Sequence, residues 1–288
     1  MGKSKGQLVQ QMLMVKLNIS YDTGYRSSDE MREIIHDNNA TSKNRMRAGV
    51  RMFNKEEIRS FTEKISQARS YYLHSTLPWD KKNWRVIPVS KWQEFKNVLD
   101  QYVVEIKDEF DKIFMDNYDD LKASFQKDCN LDDVEFPEKG DIASKFNVHY
   151  DIGQIASCDD IRIQGIDHME REKIRTDMRN QYDKKIGSGL NELAERLVKA
   201  TEDVAVRAKD EDQKGKKYTK SLSNLSELAD TVESLNITGN EAIIEACKII
   251  RNDISTYSAE AIKTTESVRE TVVDATSSIK DKLSGIKI

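Results

Sequence analysis

The sequence is short of the residues that break helices. Its 288 residues contain 3 prolines, Pro78, Pro88 and Pro137, and none follows position 137. So long a stretch without proline argues against a turn-rich β architecture in the second half and favours helix. The 12 glycines stand mostly alone. No dinucleotide or Walker glycine pattern occurs, and Gly2-Lys3-Ser4 lacks the upstream glycine and preceding strand of a phosphate loop. Cysteine is rarer still: Cys129, Cys158 and Cys247 are far apart, odd in number and without CxxC spacing. That pattern supports neither a disulfide framework nor a zinc site.

Long apolar runs are also missing. Nothing approaches the ~18 uncharged apolar residues a membrane-spanning helix needs. The start, MGKSKGQLVQQMLMVKLN, has neither the apolar core nor the cleavage site of a signal peptide, so a cytoplasmic protein is expected. For nucleophilic catalysis there is no G-x-S-x-G elbow and no cysteine in an activating neighbourhood. His149, Cys158, Asp159, Asp160, Asp167 and His168 are metal-ligand types, but their spacing fits no metal-binding pattern. The acidic stretch lacks the central glycine and terminal glutamate of an EF-hand. No reaction is indicated, and no cofactor or metal is expected.

What the sequence does have is charge. One third of its residues are charged and 38% are hydrophobic, a polar balance that suits helices with a high surface-to-volume ratio. The charge is uneven. Residues 1–105 hold 18 Lys+Arg against 12 Asp+Glu, residues 106–160 hold 6 against 15, and residues 161–288 hold 22 against 23. The first two segments carry opposite signs and could pair within the chain or between copies.

Hydrophobic periodicity divides the chain near residue 165. Leu13, Val15, Leu17 and Ile19 alternate as a half-buried strand, and Ile142, Ser144, Phe146, Val148, Tyr150 and Ile152 share one face of a second. Between them, Asn54 and Glu57 have capping-box spacing ahead of Ile58, Phe61, Ile65, Ala68 and Tyr72 at helical intervals. Ser90 and Gln93 begin a long helix through Phe95, Leu99, Val103, Ile106, Phe110, Ile113 and Phe114. Beyond Gly165 the period becomes helical throughout. One helix covers about 167–209, with Gly187-Ser188-Gly189 as a potential kink, and Leu222, Leu225, Ala229, Val232 and Leu235 mark a shorter one. The expected class is mostly helical α+β: a head at 1–165 with a small antiparallel sheet and long helices, and an extended helical arm at 166–288.

The arm ends in the most regular pattern of the chain. Ile243, Cys247, Ile250, Ile254, Tyr257, Ala261, Thr265, Val268, Val272, Ala275, Ile279, Leu283 and Ile286 recur at about 3.6 residues, which predicts one straight helix rather than a supercoiled zipper. Isolated helices are marginal in water, so this face needs a surface to lie against. Ile243, Ile250, Ile254, Tyr257, Val268, Val272 and Ile279 are the candidate interaction face, for a second copy of the chain or another protein.

A competing reading is nucleic-acid binding. Lys43, Arg45, Arg47 and Arg51 form a basic run beside Met46, Met52 and Phe53, and Trp79, Trp84 and Arg85 pair indoles with a cation. Cations release phosphate counterions and aromatics stack on bases. The plainer alternative is a solvated loop and a Trp turn packed on the sheet.

The Lys16-to-Gly24 strand and turn, residues 40–53, Leu77-Pro78-Trp79-Asp80 leading to Arg85-Val86-Ile87-Pro88, and residues 146–155 together give the N-terminal half a layout. It resembles a family of uncharacterised phage and plasmid proteins, a domain of unknown function with a coiled-coil tail. The resemblance implies a mobile-element origin, the cytoplasm of a host cell, and relatives neighbouring AAA+ ATPase genes. It carries over no catalytic residue. The combined expectation is a non-enzymatic protein that self-associates and docks a protein partner, such as a host-defence component or an ATPase.

Overall fold

The computed structural model describes residues 10–39, 47–80, 82–131, 133–158, 165–209 and 216–286. In chain order the elements are β1 (Met12–Ser20), β2 (Tyr25–Ser27), α1 (Asp29–Asn39), β3 (Gly49–Arg51), α2 (Arg59–His74), β4 (Leu77–Pro78), β5 (Arg85–Pro88) and α3 (Val89–Phe110). They continue as α4 (Tyr118–Asp128), α5 (Lys139–Lys145), β6 (Asn147–Gln154), α6 (His168–Lys209), α7 (Lys216–Leu235), α8 (Glu241–Ile249), α9 (Ala259–Thr264) and α10 (Glu266–Ser284). Mostly helical α+β is therefore the class. A four-stranded sheet has the order β4-β5-β1-β6, and β2 and β3 form a separate two-stranded sheet. Both the β1–β5 and β4–β5 pairings are antiparallel. Among the described residues no helix is long and apolar enough to cross a membrane.

Two compact units emerge, each discontinuous in sequence: residues 1–16, 73–93 and 152–288 form one, residues 17–72 and 94–151 the other. Residues on both sides of position 165 thus belong to one unit. The reason lies in the β4–β5 strands, which bury Leu77, Trp79 and Val86 in the same apolar cluster as Leu193, Leu197 and the later helices. All eight phenylalanines fall in the second unit, here the aromatic unit.

The first unit is built on a bundle of α6, α7, α8 and α10. Ion pairs tie α10 to two of its neighbours: Lys280 meets Glu202 of α6 at 2.8 Å, and Lys282 meets Glu245 of α8 at 2.6 Å. Between α7 and α8 the turn needs Gly239 at φ 64°, and Asn240 caps α8 by accepting from the Ile243 amide at 3.3 Å. The potential kink at Gly187-Ser188-Gly189 does not interrupt α6, whose 42 residues are continuous, and Gly189 packs against Leu77.

The predicted single C-terminal helix is interrupted twice. A π-helical segment, Ile250–Ile254, follows α8 and ends where the Ser255 amide donates to Ile250 O at 2.8 Å. Ser258 then starts α9 by accepting from the Ala261 amide at 3.1 Å, and Thr265 is extended at φ −113°, ψ 113° before α10. Hydroxyl side chains offer the backbone local bonds that compete with helix, which a hydrophobic period does not register. The chain doubles back, and the face expected to need an external surface is covered from within. Ile243, Ile250, Ile254, Val272 and Ile279 are fully buried, with Tyr257 and Val268 packed at the margin.

The aromatic unit has a different core. Phe61 lies edge-on to Tyr21 at 5.1 Å and to Phe114 at 5.3 Å, while Phe110 stacks on Phe146 at 3.7 Å. The expected helix 54–77 is present as α2, with Ile58, Phe61, Ile65, Ala68 and Tyr72 all buried. Its start is the anticipated capping box: the Asn54 amide donates to Glu57 Oε2 at 2.9 Å. The long helix expected through Phe95 to Phe114 gives way at its end to a π-helical segment, Asp111–Asp116, in which Ile113 and Phe114 are buried. The second strand also starts later than its pattern implies. Ile142 sits on α5, where its amide donates to Glu138 O at 3.1 Å, and β6 begins at Asn147.

Asp22 fixes this unit at the end of β1. Its carboxylate accepts from Arg26 Nη1 at 3.0 Å, Lys145 Nζ at 2.9 Å and the Gly24 amide at 2.9 Å. The Arg26 bond, opposed by burial and helped by Lys145 and Gly24, holds its pKa well below the usual carboxylate range. A depressed folded-state pKa contributes stability above the unfolded value, near 3.9, that is lost as pH falls below it. Asp22→Asn should lower unfolding free energy by about 1–3 kcal/mol at pH 7 and flatten its decline below pH 4, measured by urea titration across pH. Ile250→Ala should cost about 2–5 kcal/mol without changing the light-scattering mass, because Ile250 faces its own bundle.

Candidate functional site

The residues suspected of nucleic-acid contact are divided between the two units. Lys43 and Arg45 lie outside the described residues. Arg47 and Arg51 are exposed and belong to the aromatic unit, which holds 17 Lys+Arg against 24 Asp+Glu in sequence. Trp79, Trp84 and Arg85 belong to the other unit. Trp79 is 6% exposed, packs on Tyr182 at 5.6 Å between ring centres, and carries Lys185 Nζ 4.6 Å above its ring. Trp84 is half-buried against the same apolar cluster.

Arg85 is a structural cation. Its Nε donates to Thr76 Oγ1 at 2.7 Å, and its Nη2 to Thr76 O at 2.9 Å and Glu192 Oε1 at 2.8 Å. Arg196 shares Glu192 and donates to Leu73 O at 2.7 Å and His74 O at 2.8 Å. Two guanidiniums thus satisfy the carbonyls that the end of α2 leaves open. Burial raises the Glu192 pKa, but the bonds from Arg196 and Arg85 outweigh it and leave the carboxyl below its ordinary range. These side chains are spent on the fold.

Arg51 borders a substantial concavity. A groove of about 450 Å³ lies within the aromatic unit, lined by Met31 of α1, residues 50–55 and Glu57, Ser124, Phe125 and Asp128 of α4, and residues 129–131. That volume falls in the ~300–1,000 Å³ span of ligand pockets. Its floor is apolar, with Met52 and Phe53 buried at 2% and 1% exposure. Its rim carries Arg51, Asn54 and Lys55 on one side and Asp128 and Asn130 on the other, all exposed.

Hydrogen bonds pin both walls. Glu57 joins α2 to α4 by accepting from Ser124 Oγ at 2.6 Å as well as from Asn54. Asp133, just beyond Leu131, accepts from the Asp29 amide at 2.6 Å, the Glu30 amide at 3.2 Å and Ser28 Oγ at 2.9 Å. A carboxylate there answers the bare amides and positive end of α1. Partial desolvation opposes ionisation of Asp133, yet those bonds hold its pKa below the ordinary value. Ser28 Oγ also caps Met31 N at 2.9 Å. Gly24, at φ 70°, completes the support: its carbonyl accepts from the Met52 amide at 2.6 Å, and a Cβ there would collide with the Phe53 ring.

Of this groove the sequence showed Arg51, Met52, Phe53 and the Asn54/Glu57 box. Met31, Phe125 and Leu131 were not singled out, because they come from three segments whose only link is the fold. A readable signal was Ser28 three residues before Met31, a capping position. The chemistry on view is binding: cations and carboxylates on an apolar floor. Among the described residues no group of three or more His, Cys, Asp or Glu is arranged to hold a metal ion. The chain matches no protein-family model, no curated protein and no solved structure.

Trp79→Ala should lower stability by about 3–5 kcal/mol while leaving the salt dependence of any DNA binding unchanged. Parallel denaturant unfolding and anisotropy titrations of labelled DNA check both.

Proposed function

We propose that this protein is a non-enzymatic docking protein whose aromatic unit receives a segment of a partner protein in the groove between α1, β3 and α4. The carrying observation is the groove itself: an apolar floor with a charged rim, its walls fixed in advance by Glu57 and Asp133. Prearranged walls reduce the ordering cost of association. The resemblance of the N-terminal half to phage and plasmid proteins adds the expected setting, a mobile-element assembly in which the partner is a host-defence component or an ATPase. Self-association through 243–286 has no place in this reading, since that face is the bundle's own core. Nucleic-acid binding is the weaker reading, because Trp79 is buried and Arg85 is bonded to Thr76 and Glu192.

A photo-crosslinking residue at Leu131, compared with one at exposed Lys107 on α3, tests the proposal in cells expressing the full chain. A discrete protein adduct formed from position 131 and absent from 107 is expected. Nucleic-acid adducts, or the same adducts from both positions, would refute it.

A further inference from the structure

The phase of the β2–β3 pairing shows what kind of segment the groove is shaped to hold. The register pairs Tyr25 with Arg51, Arg26 with Val50 and Ser27 with Gly49. Beyond its ends, the Ser28 amide donates to Ala48 O at 3.1 Å and the Met52 amide to Gly24 O. In an antiparallel pair, hydrogen-bonded and non-bonded positions alternate. The pairs 24/52, 26/50 and 28/48 share one parity, so Val50 directs its amide and carbonyl at Arg26. Gly49 and Arg51 direct theirs the other way, to the outer edge of β3. No strand pairs with that edge among the described residues. Residues 50 and 51 line the groove together with residues 129–131, which begin with Cys129 in extended conformation at φ −120°, ψ 117°.

We infer, building on the docking function proposed above, that the groove binds its partner by strand addition. An extended peptide lies along the outer edge of β3 and exchanges backbone hydrogen bonds with Gly49 and Arg51. An open edge is a ready template for such pairing. The side chains of β3 then specify the peptide. Val50 packs toward the aromatic core while Arg51 is exposed, so a paired strand places apolar side chains on the Val50 face and opposes Arg51 with a residue on the solvent face. Arg51, with Lys55 exposed on the same rim, selects a carboxylate there. Asp128 on the far wall repels one on its own side. The occupant is therefore an extended segment alternating apolar and acidic residues, with its carboxylates on one face.

The test uses the full chain and a fluorescein-labelled heptapeptide of alternating glutamate and valine, capped at both ends. Saturable binding is expected, with amide NMR shifts concentrated in 49–55 and 128–131. N-methylation of alternate peptide amides should divide the peptides into two sets. One loses about tenfold in affinity, the scale of a lost backbone bond, and the other, methylated on amides facing away from β3, loses little. Arg51→Ala keeps the edge amide and should weaken binding less than Arg51→Pro, which removes it at an outward-facing position that tolerates proline. Should R51P not fold, the methylation series decides alone. Binding in the groove that is indifferent to methylation position would overturn strand addition while leaving docking intact. Absence of saturable binding, or shifts elsewhere, would overturn the inference too, and the crosslink from position 131 then judges docking separately.

Discussion

The groove depends on one carboxylate placed where a helix begins. Asp133 lies about a hundred residues from α1 in sequence and supplies acceptors to two of its first amides and to the Ser28 hydroxyl. That contact anchors the wall carrying Met31 to the wall carrying Leu131. Glu57 plays the corresponding part between α2 and α4. In sequence the acidic stretch 106–160 read as a partner for the basic segment 1–105, within the chain or between copies. Where its placement is described, Asp133 answers backbone dipoles rather than arginines. A helix terminus is a fixed partial charge that no count of side chains includes.

Periodic features were legible in the sequence and interruptions were not. Ile58, Phe61, Ile65, Ala68 and Tyr72 read as a buried stripe and are one, and Leu222 to Leu235 likewise. The small antiparallel sheet was visible in the alternation of β1. The failures share a cause: a hydrophobic period averages over many residues, whereas a π-segment or a Ser258 cap is a matter of one or two backbone bonds. Between Tyr257 and Val268 the period and the burial part company: Thr265 is exposed, and Ile262, which lies off the predicted face, is fully buried. A straight helix over 243–286 would have stretched about 65 Å and left that stripe bare. The groove was less legible than the fold, since concavity is a relation between segments and no segment carries it alone.

The basic and aromatic residues around position 80 show how the same chemistry serves different ends. Arg85, beside carbonyls and a glutamate, caps a helix end, whereas Arg51 stands exposed at a strand edge. Arg85 and Arg51 differ in burial and partners, not in type. Sequence analysis grouped them by composition, whereas the fold separates them by what their neighbours leave unsatisfied.

The two units are also nested along the chain. Every residue of the aromatic unit lies between positions 17 and 151, whereas the bundle unit draws on the first 16 residues and on everything after 151. During synthesis the aromatic unit, and with it the groove, is complete in sequence before α6 has left the ribosome. The bundle must wait for α10. Domains fold as units as they emerge, so the growing chain holds every residue of the groove while β1 still carries residues whose companions have not been made.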